Sequence, residues 1–328
     1  MIRILNEEEI RSVVSMDLSA VEAIETGFSE LAKGHAHVPP IMMIPIPEKR
    51  GEVDIKSAYI KGMDQLAIKV ASGFFENSRL GLPSQSGQML VVSAETGFLQ
   101  GVLLDNGYLT QVRTGAAGAV AAKYLAPEDA DQVGVIGSGV QARFQMAALN
   151  LVRPFSTIHM FSLDPDDEKD RYVQEVQEQL GVSVVKSPSA EAVVKESAIV
   201  VTTTPSRTGF IEAKWLHPGL HITAMGSDTE EKQELQADVL TTADLVVCDL
   251  KSQSIRLGEV RSAVEQHLMP KEAPVVELGA IVNGQALGRT DKTQITVCDL
   301  TGVGVQDTMI AIRTLATAAE RNLGLTLS

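Results

Sequence analysis

The stretch Val133-Gly134-Val135-Ile136-Gly137-Ser138-Gly139-Val140-Gln141-Ala142 decides the architecture. An apolar, β-branched run ends in G-x-G-x-x-A, and the residues that follow, ARFQMAALNL, carry a helical pattern. Gly137 permits a tight turn off the strand. Gly139 lets an anionic group approach backbone N–H groups, and Ala142 allows close packing of helix on strand. With the positive end of the helix facing it, such a turn is a pyrophosphate cradle, the fingerprint of a dinucleotide-binding βαβ unit. Gly137, Ser138, Gly139, Val140 and Gln141 are therefore cofactor-binding candidates.

Downstream the alternation continues. STIHMF, VSVV, AIVVTTT, HITAMG and LVVCDL are short apolar runs, and helical patterns such as KDRYVQEVQEQL separate several of them. Strands alternating with helices predict parallel pairing through right-handed crossovers, hence a Rossmann-type doubly wound sheet. In such a sheet ligands lie beyond the carboxyl ends of the strands. The second strand runs into Ser162-Leu163-Asp164-Pro165-Asp166-Asp167, so its first acid, Asp164, lies two residues past the usual position. No Arg follows to pair with a 2′-phosphate, which favours NAD over NADP. Thr202, Thr203 and Thr204 close another strand, and Met225 and Gly226 a third. Threonines there either contact a cofactor or satisfy strand-end backbone groups. Asp228 precedes Thr229-Glu230-Glu231-Lys232, and two readings stay open for it: helix N-cap, or general acid or base at a nucleotide crevice.

Upstream the rhythm differs. A helical pattern from about Ser19 to Lys33 precedes IMMIPIP, EVDIKSAYI, LAIKVAS, GQMLVVSA and FLQGVLLD, which predict an antiparallel sheet with a helix against it. Thr114 to Leu125 predicts a helix of small residues. After Asp299, TGVGVQD leads into a last helical pattern that is predicted to return to the first domain. The predicted fold is α/β: a Rossmann NAD-binding domain over 121–304, and an α+β substrate-binding and dimerisation domain over 1–120 and 305–328. Lys69, inside LAIKVAS, and Arg113, at the start of the small-residue helix, either face solvent or bind a carboxylate in the cleft.

Composition removes other classes. Of 328 residues, 44% are apolar and 21% charged, an ordinary globular balance. The net charge of −14, with no Lys/Arg cluster, argues against a nucleic-acid partner. No apolar run approaches the roughly 18 residues of a membrane span, and MIRILNEEEI lacks the basic flank and apolar core of a signal peptide. The expectation is a cytoplasmic protein with no membrane partner. Pro218-Gly219 denies His217 and His221 a shared helical face, and Cys248 and Cys298 sit apart in apolar runs, so no metal pattern emerges.

Taken together, AIKV around Lys69, LTQVRTGAAGAVAAKYLAP around Arg113, VIGSGVQA, ITAMGSDTEEKQEL and DLTGVGVQD resemble the ornithine cyclodeaminase/μ-crystallin family, from about Val53 to Met309. GEVDIKSAYI, GFFENSRLGLPS, LLDNGYLTQVRT and TGVGVQDT look most like its ectoine-utilisation cyclodeaminase branch. The family's imine reductases, such as iminosuccinate reductase, share the AMGSD and TGVGVQD wording.

The resemblance implies that Lys69 and Arg113 hold a substrate carboxylate and that Asp228 is the catalytic acid or base. It implies Thr114, the Gly-rich turn, Thr202–Thr204 and Val303 to Gln306 as cofactor contacts. The family often carries a further carboxylate-binding Arg after the first helix. Here that stretch reads Pro39-Pro40-Ile41-Met42-Met43-Ile44, and Lys56 is the candidate substitute. The implied activity is NAD-dependent hydride transfer at the α-carbon of a small amino or imino acid, in a homodimer. A cyclodeaminase (an ammonia-lyase) of ectoine or diamino acid catabolism comes first. An NAD(P)H-dependent imine reductase or amino acid dehydrogenase, of the iminosuccinate or pyrroline-2-carboxylate type, comes second. A non-catalytic μ-crystallin-like binder comes third, since it has less need of Asp228.

Overall fold

The apolar runs on both sides of the Gly-rich turn form strands, as their β-branched composition predicts. In the computed structural model, which describes every residue except Phe75 and Ala273, the chain divides into two units. The first, Met1–Arg113 with Val303–Ser328, opens with β1 (Ile2–Asn6), α1 (Glu7–Val13), α2 (Leu18–Ala32), β2 (Ala36–His37) and β3 (Met42–Ile46). It continues through β4 (Gly51–Ile60), β5 (Gln65–Phe74), β6 (Gln85–Ser93), β7 (Leu99–Leu104) and the first turns of α3 (Tyr108–Leu125).

The second unit, Thr114–Gly302, holds the rest of α3, then β8 (Gln132–Ile136), α4 (Val140–Val152), β9 (Thr157–Phe161), α5 (Asp166–Leu180) and β10 (Ser183–Lys186). There follow α6 (Ala190–Glu196), β11 (Ile199–Thr202), β12 (His221–Ala224), α7 (Ala237–Thr242) and β13 (Leu245–Cys248). The unit ends with α8 (Lys251–Leu257), α9 (Glu259–Glu265), β14 (Val276–Glu277), α10 (Leu278–Val282) and β15 (Thr296–Asp299). The chain then returns to the first unit as α11 (Gly304–Glu320) and β16 (Leu325–Leu327).

In the first unit the sheet order is β16-β1-β7-β6-β5-β4-β2, with β3 also on β4. The antiparallel meander β4 to β7 matches the alternating runs, whereas β1 joins β7 in parallel and β16 closes the edge on β1. The three-residue β16 is too short to show a period, and β1 finds its partners β7 and β16 far along the chain. Helix α11 covers β4 and β5 and packs on α2. Its Ile310, Ala311, Leu315 and Ala318 are buried at helical spacing. The Thr308 hydroxyl donates to the Ala58 carbonyl (2.8 Å) and accepts from the Ala67 N–H (3.2 Å), stitching the helix to both strands.

Helix α3 begins at Tyr108, upstream of the Thr114 start that its small-residue run predicts. Asp105 nucleates it: its Oδ2 accepts from the Leu109 N–H at 2.8 Å, after a turn through Asn106 and Gly107 in the left-handed region. Arg113 therefore lies inside the helix, not at its start.

In the second unit every pairing is parallel, in the order β10-β9-β8-β11-β12-β15-β13-β14. The chain direction across the sheet reverses between β8 and β11, the switch point where ligands bind in this architecture. Apolar clusters around Val133, Val135, Ile158 and Met160, and around Val200, Ile222, Val246 and Val297, fill its core. After β12 the residues Thr229 to Lys232 form only a turn, and α7 starts at Ala237. The N-cap reading of Asp228 falls with that. Among the described residues, no helix is long and apolar enough to cross a membrane.

Candidate functional site

Two glycines of the G-x-G-x-x-A turn have different physical reasons. Gly137 has φ +119°, and a Cβ there would lie 2.5 Å from the Thr203 Oγ1, so the fold itself demands glycine. Gly139 has φ −76° and ψ −173°, backbone that any residue adopts, and a Cβ there meets no atom within 4 Å. Nothing among the described residues requires glycine at 139. It caps α4 without any side-chain acceptor for the first helical N–H groups. Arg143 ties down the turn from behind: its Nη1 donates to the carbonyls of Ser138 (2.5 Å) and Gly139 (3.1 Å), while its Nε pairs with Glu175 at 2.5 Å. The result is an open cradle of N–H groups at a positive helix end, which fits an anionic group such as a pyrophosphate.

Beside it, Leu163 turns outward, and Asp164 reaches back to the same turn. The Asp164 Oδ2 accepts from Ser162 Oγ at 2.6 Å and also from the Ser138 hydroxyl. A cavity of about 430 Å³ opens at the ends of β9 and β10, lined by Phe161, Ser162, Lys169, Lys186 and Pro188 among others. Both lysines are paired with acids, Lys169 with Asp166 at 2.8 Å and Lys186 with Asp170.

The threonines at the end of β11 satisfy their own surroundings. The fully buried Thr202 donates its hydroxyl to Glu234 Oε2 at 2.6 Å, and Thr203 Oγ1 donates to the Ile136 carbonyl at 3.3 Å. The Thr202 side chain is thus spent inside the fold and does not line a groove. Met225 donates its N–H back to the Thr202 carbonyl (3.0 Å), and the Gly226 N–H goes to Glu234 Oε2 (2.7 Å). Asp228 lies half-exposed beyond Gly226, with its Oδ1 2.7 Å from the Lys232 Nζ. The Thr114 carbonyl accepts from Gln145 Nε2 at 2.9 Å.

Sequence reasoning missed a set of buried acids here. Glu234, Glu259 and Asp299 are each completely enclosed. Burial raises the carboxyl of Glu234, and that of Glu259 well above its ordinary range with added repulsion from Asp299 and Glu234. Asp299 is pushed up to about 7, again chiefly by burial. Glu234 lies in an irregular stretch, Glu259 opens α9 and Asp299 closes the apolar strand β15, and an acid at a strand end or helix start reads from sequence as ordinary boundary polarity.

In the first unit a second constellation forms. The β4–β5 register sets Lys56 directly opposite Lys69, and α11 carries Asp307 over them. Lys69 Nζ lies 3.1 Å from Asp307 Oδ1, and Arg113 Nε lies 3.2 Å from the same oxygen. Arg113 also donates to Gln306 Oε1 at 2.6 Å. Burial, then the repulsion of Arg113, lower Lys69 to about 7 despite the opposing pull of Asp307. Burial alone would raise the Asp307 carboxyl, but Lys69, Arg113 and Lys56 outweigh it and hold it below the ordinary value.

The structure thus brings Lys56, Lys69, Arg113 and Gln306 together. Gln306 was expected at the cofactor, yet its side-chain oxygen is committed to Arg113, and Val303 is wholly buried at the start of α11. Asp307, the central anion, was missed because an acid in the first turn of a helix reads as an ordinary dipole partner. Asp105, enclosed at the start of α3, is pushed up to about 6 by burial. Strand β3 leaves Met42 and Met43 exposed, so that stretch adds no cation. His221 is buried between Thr296 and Thr223 hydroxyls, and no metal-holding group of His, Cys, Asp or Glu occurs among the described residues.

Known proteins resemble this chain over its full length. A sequence profile of the Ornithine cyclodeaminase/mu-crystallin family matches residues 2–320. A putative dehydrogenase of Rhizobium meliloti is 45% identical over 324 residues, covering 99% of this chain and 98% of that protein. An uncharacterized cyclodeaminase of Sinorhizobium fredii is also 45% identical, covering 98% and 97%. Among solved structures, the Δ1-pyrroline-2-carboxylate reductase of Thermococcus litoralis, in complex with NADH and L-proline, superposes with a TM-score of 0.93 at 28% identity, covering 99% and 100%. An archaeal alanine dehydrogenase dimer with bound NAD superposes with a TM-score of 0.91 at 33% identity, covering 100% and 99%.

Proposed function

The chain belongs to the ornithine cyclodeaminase/mu-crystallin family, and from that premise we propose that it is an NAD(H)-dependent enzyme moving a hydride at the α-carbon of a small amino or imino acid, working as an imine reductase or amino acid dehydrogenase. The observation that carries the cofactor is Gly139: a glycine no protein atom requires, at an uncapped helix N-terminus. When bound, the nicotinamide supplies or accepts the hydride.

The chain's own residues do the rest. The amides from Ser138 to Gln141 receive the pyrophosphate, and Asp164 accepts from a ribose hydroxyl. Its charge repels a 2′-phosphate, which favours NAD over NADP. Thr203, Thr204, Met225 and Gly226 shape the groove as backbone, and Thr114 borders it through α3. Lys69 and Arg113, with Lys56 behind them, hold the substrate carboxylate; the planar fork of Arg113 suits bidentate binding. Asp228 holds or moves the proton at the substrate nitrogen. On this reading Thr114–Gly302 is the cofactor domain, and the other unit binds substrate.

Pairing into a homodimer through the first unit belongs to the same proposal. It is supported by the dimer in the related alanine dehydrogenase structure and by the exposed apolar residues Met42, Ile44, Leu325 and Leu327 on the outer strands. A second reading, a cyclodeaminase of the ectoine-utilisation branch, is favoured by the 45% identical cyclodeaminase relative and by the quoted wording. It needs the same residues, but returns the hydride and releases ammonia.

One experiment tests both readings. Purified protein is assayed over α-imino and α-amino acids while absorbance of reduced nicotinamide and release of ammonia are recorded together. Net consumption of NADH with an imino acid supports the reductase; ammonia release with no net change in NADH supports the cyclodeaminase. Absence of calorimetric NADH or NAD binding overturns the proposal.

A further inference from the structure

One buried carboxylate joins the ends of two strands at the switch-point side of the second unit. Glu234 Oε1 accepts from the Thr204 N–H at 2.5 Å, and Oε2 accepts from the Thr202 hydroxyl at 2.6 Å and the Gly226 N–H at 2.7 Å. The first two groups belong to the end of β11, the third to the end of β12. The fit is tight: a Cβ on Gly226 would lie 2.2 Å from the Thr204 carbonyl oxygen and 2.5 Å from Glu234 Cδ. The segment that delivers Glu234 is itself pinned. Its N–H and that of Leu235 both donate to Glu259, at 2.7 and 3.1 Å. The Phe210 and Ile211 N–H groups donate to the Glu234 carbonyl, at 2.8 and 3.0 Å.

We infer that Glu234 is a positioning residue, which sets the spacing between the 202–204 and 225–228 loops and thereby the groove edge and the placement of Asp228. The inference rests on the reading that these loops border the nucleotide and that Asp228 handles the proton. The chemistry explains the residue type. Three donors converge on one side chain, and only a carboxylate offers acceptors alone to all of them. Glutamine has the same shape, but its NH2 turns a donor onto either the Thr204 or the Gly226 N–H, so at least one loop is released. Alanine releases both and leaves their part-buried N–H groups without this acceptor. Glu234 touches no reacting group itself. It acts through the backbone of Thr204 and Gly226, the latter two residues from Asp228 and bonded to it from the Asp228 N–H at 3.2 Å.

The test uses Glu234→Gln and, because that variant buries a donor–donor mismatch that works against folding, also Thr202→Val, which removes one donor at nearly constant volume. Val193→Ala, a fully buried core residue outside the clasp, serves as the stability control. NADH affinity is measured by calorimetry, and amide exchange at Thr204 and Gly226 is measured in the nucleotide-free protein. The expected result for Glu234→Gln is at least about tenfold weaker NADH binding, from losing a charge-assisted bond. For Thr202→Val it is a loss of about threefold or more, on the smaller scale of one hydroxyl bond. In both variants exchange should quicken at Thr204 and Gly226, while Val193→Ala lowers the melting temperature and keeps parental affinity and exchange. Parental affinity in Glu234→Gln overturns the inference. So does a loss of affinity in all variants that merely tracks their melting temperatures. If Glu234→Gln fails to fold, Thr202→Val decides alone by the same two readouts. If the parental protein binds no NADH at all, it is the proposed function that fails.

Discussion

Lys56 and Lys69 face each other across the β4–β5 ladder, both buried, and Lys69 shares the Asp307 carboxylate with Arg113. Like charges directly opposed on neighbouring strands are ordinarily destabilising. Here Asp307 lies among two lysines and an arginine, and all three hold its carboxyl in the charged form against the pull of burial.

Removing that acid should be costly. Asp307→Ala leaves the buried cations without their counter-charge, a loss of about 3–5 kcal/mol in unfolding free energy. Asp307→Asn, which keeps the shape, should recover part of it. Urea unfolding of the two variants checks this, and parental stability in both would return Asp307 to an ordinary helix-start residue. Arg113→Ala or Lys69→Ala should weaken substrate binding at least about tenfold, and Arg113→Lys should restore only part of that.

Substrate binding should depend on pH through Lys69. With its ammonium titrating near 7, the charge that attracts a carboxylate is present below that pH and fades above it. The KM for the amino or imino acid should therefore rise from pH 6 to pH 8, about tenfold at most per pH unit above the pKa. Lys69→Arg, charged throughout, should flatten the profile; an unchanged profile in that variant would place the titration elsewhere. For stability the sign is the opposite of that for a lysine whose partner raises its pKa, because burial and Arg113 outweigh the Asp307 pairing. The folded state gives up its proton more readily than an ordinary lysine at 10.5, so this group's contribution is present above that value and is lost as pH falls toward 7.

The two turn glycines should fail in different ways. Gly139→Val fits the empty space around that Cβ and an ordinary backbone, so melting temperature should hold while NADH binding is abolished. Gly137→Ala drives a Cβ against Thr203 in a left-handed backbone and should destabilise by about 1–3 kcal/mol. Calorimetry and thermal melts on the pair separate them. NADH affinity unchanged in Gly139→Val removes the pyrophosphate from this turn.

Asp228→Asn isolates proton chemistry. The residue caps no helix, and its partner Lys232 can still donate to the amide oxygen, so stability and NADH binding should stay parental. Turnover should fall by about 10²–10⁴, the usual contribution of a positioned acid or base. Near-parental turnover on an identified substrate would falsify the catalytic role.

What the sequence determined by itself was whatever local chemistry dictates. The strand, Gly-rich turn and helix from Val133 to Leu149 could be read because tight turns and helix starts are set by adjacent residues. The parallel sheet followed because alternating strands and helices leave few ways to connect. The meander from β4 to β7 was legible for the same reason, through its period of two. Family wording carried Lys69, Arg113 and Asp228, whereas the residues alone left open whether the first two met solvent and whether the third capped a helix.

Tertiary structure decided those questions, because they concern residues far apart in the chain. Asp307 becomes the partner of Lys69 and Arg113 only when α11 returns to β4 and β5, anchored by Thr308. Nothing near Asp307 in sequence announces this. Glu234 gains its meaning in the same way, when a polar turn folds back between two strand ends. Burial converts such charges from solubilising surface into fixed electrostatics, and burial is a property of the assembled fold: a periodic apolar face reports it locally, whereas an isolated acid or lysine reports nothing until its distant partners close around it.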